Sequence, residues 1–151
     1  MKPNSLLKLI GTTLYTGYIP LGPGTFASIL AIPLVILLAK SSMAYTITGI
    51  IILVIGTFSA EHLSRVWNKK DDQRITIDEF IGILITFLLI PTINWYILLI
   101  GFVLFRFFDI VKPLFIRETE RVSGGLGVML DDVIAGIYAN LVIRIFLLLI
   151  K

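Results

Sequence analysis

Long stretches without a charged residue are the feature of this sequence that most constrains its fold. Residues 80–105 are twenty-six uncharged residues in a row, and residues 41–60 are twenty. An apolar helix of about 20 residues spans the hydrocarbon core of a bilayer. Residues 25–39 are also uncharged, as are residues 133–150 apart from Arg144. The pattern predicts a helical membrane protein that enters the bilayer several times.

Composition supports this interpretation and limits the number of domains. The 151 residues suffice for a single domain, 1–151, which includes the N-terminal segment because Lys8 and Gly11 interrupt any signal-peptide core. Hydrophobic residues make up 57% and charged residues 15%, whereas soluble domains have about 25% charged residues. The net charge of +3 is typical of basic loops beside lipid headgroups rather than of a nucleic-acid binder. We expect an all-α, polytopic membrane protein with about four to five membrane-embedded helices.

The charged residues are concentrated in two loops, and this predicts how the chain is threaded. Residues 61–79 and 106–132 each hold four Lys or Arg residues, whereas the turns at 40–42 and 91–94 hold one and none. Because basic loops face the cytoplasm, we expect both charged loops there. Residues 80–105 would then enter and return as a hairpin that turns at 91–94. A single, kinked and tilted span is the alternative.

Two pairs of acidic residues are candidates for metal binding and catalysis. Asp78 and Glu79 stand where one uncharged stretch begins, and Asp131 and Asp132 stand where another begins. Acidic side chains at the membrane boundary are costly to desolvate. Clustered carboxylates repel one another unless a cation holds them, and hard oxygen ligands suit Mg²⁺. The alternative is that both pairs are solvated residues at the ends of spans.

A strip of alternating charge is predicted near the end of the hairpin. Arg106, Asp109 and Lys112 recur at a spacing of three, along one side of a helix that Pro113 ends. One interpretation is an ion pair at the end of a helix. The other is an anion clamp, since Arg offers a planar fork and Lys a point charge to phosphate oxygens. An aspartate between two cations would stay ionised and be able to bind a metal.

A turn rich in glycine and proline precedes the first apolar stretch. Residues 17–24 contain three Gly and two Pro, and Thr25 follows as the expected N-cap of a helix. Backbone amides at a helix N-terminus bind phosphate, although ordinary turn chemistry accounts for the same residues. The glycine-rich residues 123–127 are interpreted in the same way, as a loop.

The residue types that are missing exclude several mechanisms. The chain has no cysteine and one histidine, which excludes cysteine nucleophiles, thiolate metal sites and mechanisms that need two histidines. Catalysis must therefore rest on carboxylates, basic groups, hydroxyls or a metal. His62 is expected to be structural. The small residues Ala135, Gly136 and Ala139 are expected to allow close helix packing.

Four elements of the sequence together resemble the phosphatidylglycerophosphatase A family. They are GPGTFAS at 22–28, DE followed by G at 78–82, FRFFDIVKP at 105–113 and GGLGVMLDDVIAG at 124–136, in the family's order. The last two are long and specific. Phe26 stands where the family often has Trp, and residues 114–116 stand where a second Pro often follows. Both differences preserve bulk and hydrophobicity.

The resemblance implies an all-helical, Mg²⁺-dependent phosphatase of the bacterial inner membrane that removes the terminal phosphate of phosphatidylglycerophosphate. With the charged loops on the cytoplasmic side, the active site would face the cytoplasm. The residues expected in catalysis are Asp78, Glu79, Asp109, Asp131 and Asp132, of which Asp78, Glu79, Asp131 and Asp132 are also the expected metal ligands. The residues expected to bind the substrate phosphate are Arg106, Lys112 and Thr25.

Two alternatives of other classes remain at this point. A small transporter or channel subunit would usually place acidic residues within a span rather than at its ends. A CDP-alcohol phosphotransferase also uses aspartates and a divalent metal at the membrane boundary, but its Asp-x-x-Asp-Gly signature is absent from this sequence. Release of phosphate from a lipid phosphomonoester distinguishes all three.

Overall fold

The computed structural model describes residues 3–70, 72–113 and 122–149. These residues form six α-helices and one 3-10 turn, Thr16–Tyr18, and contain no strand. The helices are α1 (Ser5–Gly11), α2 (Pro23–Leu38), α3 (Ser42–Val66), α4 (Ile77–Thr86), α5 (Trp95–Val111) and α6 (Gly124–Leu149). The predicted helical class is confirmed for this part of the chain. The sequence differences at 114–116, the charged residues of 117–121 and Asp71 lie outside the described residues.

Short polar side chains fix the starts of two of the longer helices. Ser41 Oγ accepts a hydrogen bond from Ala44 N at 3.3 Å at the start of α3. Asn94 Oδ1 accepts one from Ile97 N at 3.0 Å at the start of α5. Both side chains satisfy backbone amides that the first helical turn leaves without an intrahelical partner.

The start of α2 differs from the prediction. Gly22, with a left-handed φ of 63°, is the N-cap, and Pro23 is the first helical residue. Thr25, the predicted N-cap, lies inside the first turn, where its N–H donates to Gly22 O at 2.9 Å. The helix begins early because proline already holds a helical φ and needs no N–H donor in the first turn.

Two helices of the described chain are long and apolar enough to cross a membrane, α3 with 25 residues and α6 with 26. By comparison, α4 has only ten residues, or about 15 Å at the usual rise per residue. Large apolar side chains face outwards, among them Phe58, 68% exposed, and Leu148, 72% exposed. Soluble proteins rarely expose extended apolar patches, so these are the features of a membrane protein.

The short helix α4 packs closely against α6. Gly136 lies against the α4 backbone, where an added Cβ would be 2.5 Å from Gly82 O. Ala135 and Ala139 are fully buried. The prediction that these small residues allow close helix packing is confirmed. The approach also brings the first part of α6 beside the first turn of α4.

Residues 80–105 form a hairpin rather than one span. Within them α4 ends at Thr86 and α5 begins at Trp95. The beginning of α4 and the end of α5 line the same cavity, so the chain runs away from this cavity and returns to it. The hairpin that the charge pattern predicted is therefore the arrangement in the structure, with its turn at 87–94.

The start of α6 corrects a second expectation. The predicted loop at 123–127 is helical from Gly124 onward, although glycine is a poor helix former. The Glu61 carboxylate of α3 accepts a hydrogen bond from Gly125 N. An added Cβ at Gly125 would overlap the α3 backbone. Close packing on α3, together with this capping bond, outweighs the low helix propensity.

Candidate functional site

A polar cavity of about 380 Å³ lies where α4 begins and α5 ends. Its charged lining consists of Asp78, Glu79, Asp109, Asp131, Asp132, Arg106 and Lys112. Its other lining residues are Pro20, Gly22, Pro23, Gly24, Gln73 and Ile75. Every charged residue that the sequence predicted for the site thus lines one cavity, whereas Thr25 is not among its lining residues. We call it the acid cavity.

Three carboxylates form a cluster inside the acid cavity. Asp78, Glu79 and Asp132 each bring a carboxylate oxygen to within 4.8 Å of the others. Asp78 and Asp132 are buried, at 7% and 3% exposure. Asp78 Oδ1 and Glu79 Oε2 are buried without a hydrogen-bond partner in the described part of the chain. Buried polar atoms are nearly always paired, so these two oxygens could bind a cation.

Asp131 and Asp132 are neighbours in sequence but have different partners. Both lie inside α6, rather than ahead of a helix as the apolar pattern predicted. Asp132 points to the carboxylate cluster, while Asp131 Oδ2 accepts a bond from Lys112 Nζ at 2.6 Å. Consecutive helical residues are turned by about 100° around the axis, and this rotation separates them. Asp131 is therefore not in the group of three.

The two basic residues of the acid cavity are each held by an aspartate. Arg106 Nη1 donates to Asp109 Oδ2 at 2.7 Å, one helical turn along α5. Lys112, which caps the end of α5 with a left-handed φ of 45°, is held by Asp131. The ion pair within the helix, one of the two interpretations of this strip, is therefore present. A guanidinium has five N–H donors, and this bond engages one nitrogen of Arg106.

The start of α4 is held in place by the last residue of α1 and by the turn that follows α1. Thr76 N donates to Gly11 O at 2.9 Å, and the hydroxyls of Thr16 and Thr76 are 3.3 Å apart. Thr76 is fully buried and directly precedes α4. These bonds fix the first turn of α4, which carries Asp78 and Glu79.

A clamp that the sequence reasoning did not identify holds the segment before α4. Arg74 Nε donates to Asp72 Oδ1 at 2.8 Å, and Arg74 Nη2 donates to Asp72 Oδ2 at 2.9 Å. The guanidinium also lies 4.0 Å from the centre of the Trp67 ring. The hydrogen bonds from Arg74 lower the pKa of the Asp72 carboxyl to about 2. The clamp fixes the backbone around Gln73, a cavity residue that was also missed.

Gly24 allows α2 to touch the cluster. An added Cβ at Gly24 would overlap the Glu79 carboxylate, so a larger residue there would displace this side chain. The turn before α2 thus shapes one wall of the acid cavity.

His62 does not line the acid cavity. Its Nε2 accepts a hydrogen bond from Asn4 N at 3.1 Å, which is a structural contact of the kind expected from the sequence.

Comparison with known proteins gives consistent results. Residues 9–147 match the family described as phosphatidylglycerophosphatase A. Proteins of that name from Escherichia coli and Haemophilus influenzae are 34% and 36% identical, over 91% and 95% of this chain and 81% and 91% of theirs. A Bacteroides thetaiotaomicron protein with the provisional name phosphatidylinositol-3-phosphatase is 39% identical over 95% of both chains. No solved structure matches the chain significantly.

The family match and the geometry concern the same residues. The matched region, 9–147, includes every residue that lines the acid cavity. Its coverage of most of the chain excludes a chance similarity confined to one motif. With the buried carboxylate cluster, the paired basic residues and this match together, the chain belongs to the phosphatidylglycerophosphatase A family.

Proposed function

We propose that the protein removes the terminal phosphate of phosphatidylglycerophosphate, leaving phosphatidylglycerol, in a reaction that depends on Mg²⁺. One observation carries the proposal: the oxygens of Asp78, Glu79 and Asp132 converge in a cavity that also contains Arg106 and Lys112. Such a cluster suits a cation, and the adjacent bases suit a phosphate dianion. Membership of the family supplies the substrate.

The three carboxylates would offer a magnesium ion the oxygen ligands that it prefers. Mg²⁺ binds oxygens at about 2.1 Å in an octahedron, so that opposite ligands are about 4 Å apart. The cluster has oxygens within 4.8 Å of one another, and two of its buried oxygens are without partners among the described residues. When bound, the ion supplies charge neutralisation for the phosphate. Asp131, which pairs with Lys112, is left out of the proposed ligand set.

Arg106 and Lys112 would bind the phosphate of the substrate. Asp109 and Asp131 hold these cations at 2.7 and 2.6 Å, so neither long side chain has to be ordered when the substrate arrives. Preorganised donors of this kind stabilise the charge of a phosphoryl group as it is transferred. Thr25 is outside the cavity lining and is not included in the proposed phosphate site.

The proposed reaction is a hydrolysis. An oxygen of water bonds to phosphorus, the bond from phosphorus to the glycerol oxygen breaks, and that oxygen takes up a proton. A carboxylate of the cluster accepts the proton that the water loses. This route needs neither a cysteine nor a second histidine, in keeping with the composition of the chain.

The proposed setting is the bacterial inner membrane, with the acid cavity on the cytoplasmic side. Helices α2, α3 and α6 and the α4–α5 hairpin would then provide five membrane-embedded helices. The support is the placement of four basic residues in each of the loops 61–79 and 106–132. The lipid headgroup, with its phosphate, would meet the acid cavity at that surface.

Single cysteines in this cysteine-free chain test the topology. Lys70→Cys and Glu118→Cys should resist an impermeant maleimide in intact cells and react once the cells are opened. Asn94→Cys reports whether the hairpin turn reaches the far side. If only one of positions 70 and 118 reacts in intact cells, the two loops lie on opposite sides and the proposed orientation is wrong.

Phosphate release from purified protein tests the reaction. Phosphatidylglycerophosphate should be hydrolysed with Mg²⁺ and not with EDTA, and phosphatidic acid should be a poorer substrate. Phosphatidylinositol 3-phosphate is the second candidate substrate, because a relative at 39% identity carries the name of a phosphatase for it. A preference for that lipid would replace the proposed substrate. Absence of phosphate release from every lipid would favour the transporter or phosphotransferase alternatives.

A further inference from the structure

A second hollow of the molecule lies beside the acid cavity and is apolar. It has a volume of about 480 Å³ and lies among α1, α2, α3 and α4. Its walls are formed largely by Leu9, Ile10, Leu30, Leu34, Ile52 and Ile55. We call it the apolar groove. We propose that it holds one acyl chain of the phospholipid whose phosphate occupies the acid cavity, an inference that rests on the proposed function.

The groove and the acid cavity share the first turn of α4. Ile77 and Phe80 line the groove, whereas Asp78 and Glu79, the two residues between them, line the cavity. One turn of helix therefore presents acids to one hollow and apolar side chains to the other. A lipid phosphate is itself divided in this way, into a charged head and apolar chains.

Helix α2 also connects the two hollows. Its first residues, from Pro23, line the acid cavity, and residues 30–37 farther along the helix line the groove. That stretch of groove wall is about 10 Å long at the rise of an α-helix. The groove thus extends from the level of the active site along the helix axis, as an acyl chain extends from its headgroup. Leu37 at its far end is 70% exposed, so the groove opens towards the lipid.

Two other apolar hollows among the described helices lack this connection. One lies between α2 and α5 and includes Leu99, and the other lies among α3, α4 and α6 and includes Ile50. Neither includes a residue that directly precedes or follows a residue of the acid cavity. Continuity with the active site therefore singles out the groove as the place for substrate rather than for any bilayer lipid.

One polar group is among the residues that line the groove. Thr13 lines the groove, and its hydroxyl is buried without a hydrogen-bond partner among the described residues. Thr13, Leu14 and Tyr15 all have left-handed φ, of 44°, 55° and 66°. Left-handed φ strains the backbone of a residue that is not glycine, and such strain concentrates at functional sites. An unpaired hydroxyl can donate a hydrogen bond to an ester carbonyl of the lipid.

The test compares substrates with and without acyl chains. Leu34→Trp should fill the groove, and Leu99→Trp places the same side chain in the hollow between α2 and α5 as a matched control. Activity is measured on long-chain phosphatidylglycerophosphate in detergent micelles and on its deacylated, water-soluble headgroup. Leu34→Trp should lower kcat/KM for the long-chain substrate, relative to kcat/KM for the headgroup, roughly tenfold. This is the effect expected when about two methylene groups lose their burial. Leu99→Trp should leave that ratio unchanged.

Three results would overturn the inference: an unchanged ratio in Leu34→Trp, an equal fall in Leu99→Trp, or an equal loss of both activities in Leu34→Trp. Failure of the proposed function has another signature, since the wild-type protein would then release phosphate from neither substrate. In that case, photocrosslinking with a phosphatidylglycerol that carries a diazirine in mid-chain tests the groove independently of activity. Crosslinks concentrated on residues 30–37, 52 and 55 support the groove, and crosslinks spread evenly over the outer faces of α3 and α6 contradict it.

Discussion

The two halves of α6 contact α4 through polar groups in opposite ways. In its first half, Asp132 joins a cluster in which Asp78 Oδ1 and Glu79 Oε2 have no partner among the described residues. In its second half, Asn140 Nδ2 donates to Thr86 O and Leu88 O, both at 2.9 Å. The first contact leaves buried acceptors unsatisfied. The second satisfies carbonyl oxygens that have no intrahelical partner at the end of α4.

Arg144 completes the second contact. Its Nε donates to Asn140 Oδ1 at 2.7 Å, and its Nη2 donates to Leu88 O and Leu89 O, each at 3.0 Å. A cation beside the C-terminal end of a helix is also favoured by the helix dipole. We conclude that the Asn140–Arg144 contact stabilises the fold, whereas the carboxylate cluster leaves buried acceptors without partners among the described residues, at a cost in stability.

Replacing Asp132 tests the first half of this comparison and should have the largest effect. Asp132→Asn keeps the shape of the side chain and removes a charge, so kcat should fall by about 100-fold or more. The melting temperature in detergent should stay the same or rise, because a buried repulsion is relieved. Near-normal turnover at limiting Mg²⁺ would remove Asp132 from the site. Asp131→Asn, measured in parallel, separates the contribution of the carboxylate cluster from that of the pair between Asp131 and Lys112.

Replacing Arg106 sharpens the comparison by changing the geometry of a cation and not its charge. Arg106→Lys loses the planar fork that binds two phosphate oxygens at once, and we expect kcat/KM to fall about tenfold. Thermal unfolding should change little, because a lysine retains a charge opposite Asp109. An unchanged kcat/KM would show that Arg106 serves only the ion pair within α5.

Replacing Asn140 tests the second half, with the reverse result expected. Asn140→Leu leaves Thr86 O without a donor and Arg144 Nε without its acceptor, while Leu88 O keeps its bond from Arg144. Each unsatisfied buried group costs about 1–3 kcal/mol. The melting temperature should therefore drop by several degrees, while kcat per folded molecule is unchanged below the transition. A loss of kcat with an unaltered melting temperature would contradict the structural role.

The clamp between Asp72 and Arg74 supplies a satisfied pair close to the active site and should have the smallest effect. In the folded protein the pKa of the Asp72 carboxyl is about 2, which lies below the value of about 3.9 in the unfolded chain. The stability it contributes is therefore present above about pH 4 and is lost as the pH falls through about 2. Asp72→Asn should lower the melting temperature slightly at pH 7, since Arg74 is 39% exposed.

The difference in melting temperature between Asp72→Asn and the wild type should shrink between pH 4 and pH 2. Circular dichroism in detergent measures it across that range. A constant difference would mean that the carboxylate charge does not stabilise the segment before α4.

Elements that depend on composition along the chain were predictable. The spans of α3 and of most of α6 follow from uncharged stretches, and the hairpin from basic loops with an unbroken uncharged stretch between them. The start of α6 was not predictable in this way, because residues 123–127 read as a glycine-rich loop. Only the surface of α3, which the glycines approach closely and where Glu61 caps Gly125 N, makes that segment helical.

For the site, the sequence by itself determined which residue types are available, and it predicted seven charged residues that all line the acid cavity. These residues lie in sequence elements that occur in the same order as in the phosphatidylglycerophosphatase A family. The Asp-x-Arg pattern at 72–74 gave no clear signal, since such charge pairs in loops are common. Only the two hydrogen bonds between these side chains and the position of Arg74 4.0 Å from the centre of the Trp67 ring show a clamp. Gln73 carries no local signal of its cavity role, whereas Gly24 belongs to the glycine- and proline-rich turn that the sequence analysis singled out.

The tertiary structure alone decided which partners each of the two adjacent aspartates has. Asp131 and Asp132 are the same residue type at adjacent positions, so the sequence does not distinguish them. The helix turns Asp131 towards Lys112 and Asp132 towards Asp78 and Glu79. Hydrophobic length and charge placement are properties of short segments, so a sequence determines them directly. Partnership between side chains depends on how helices from distant segments pack and rotate against one another, which is settled only when the whole bundle has formed.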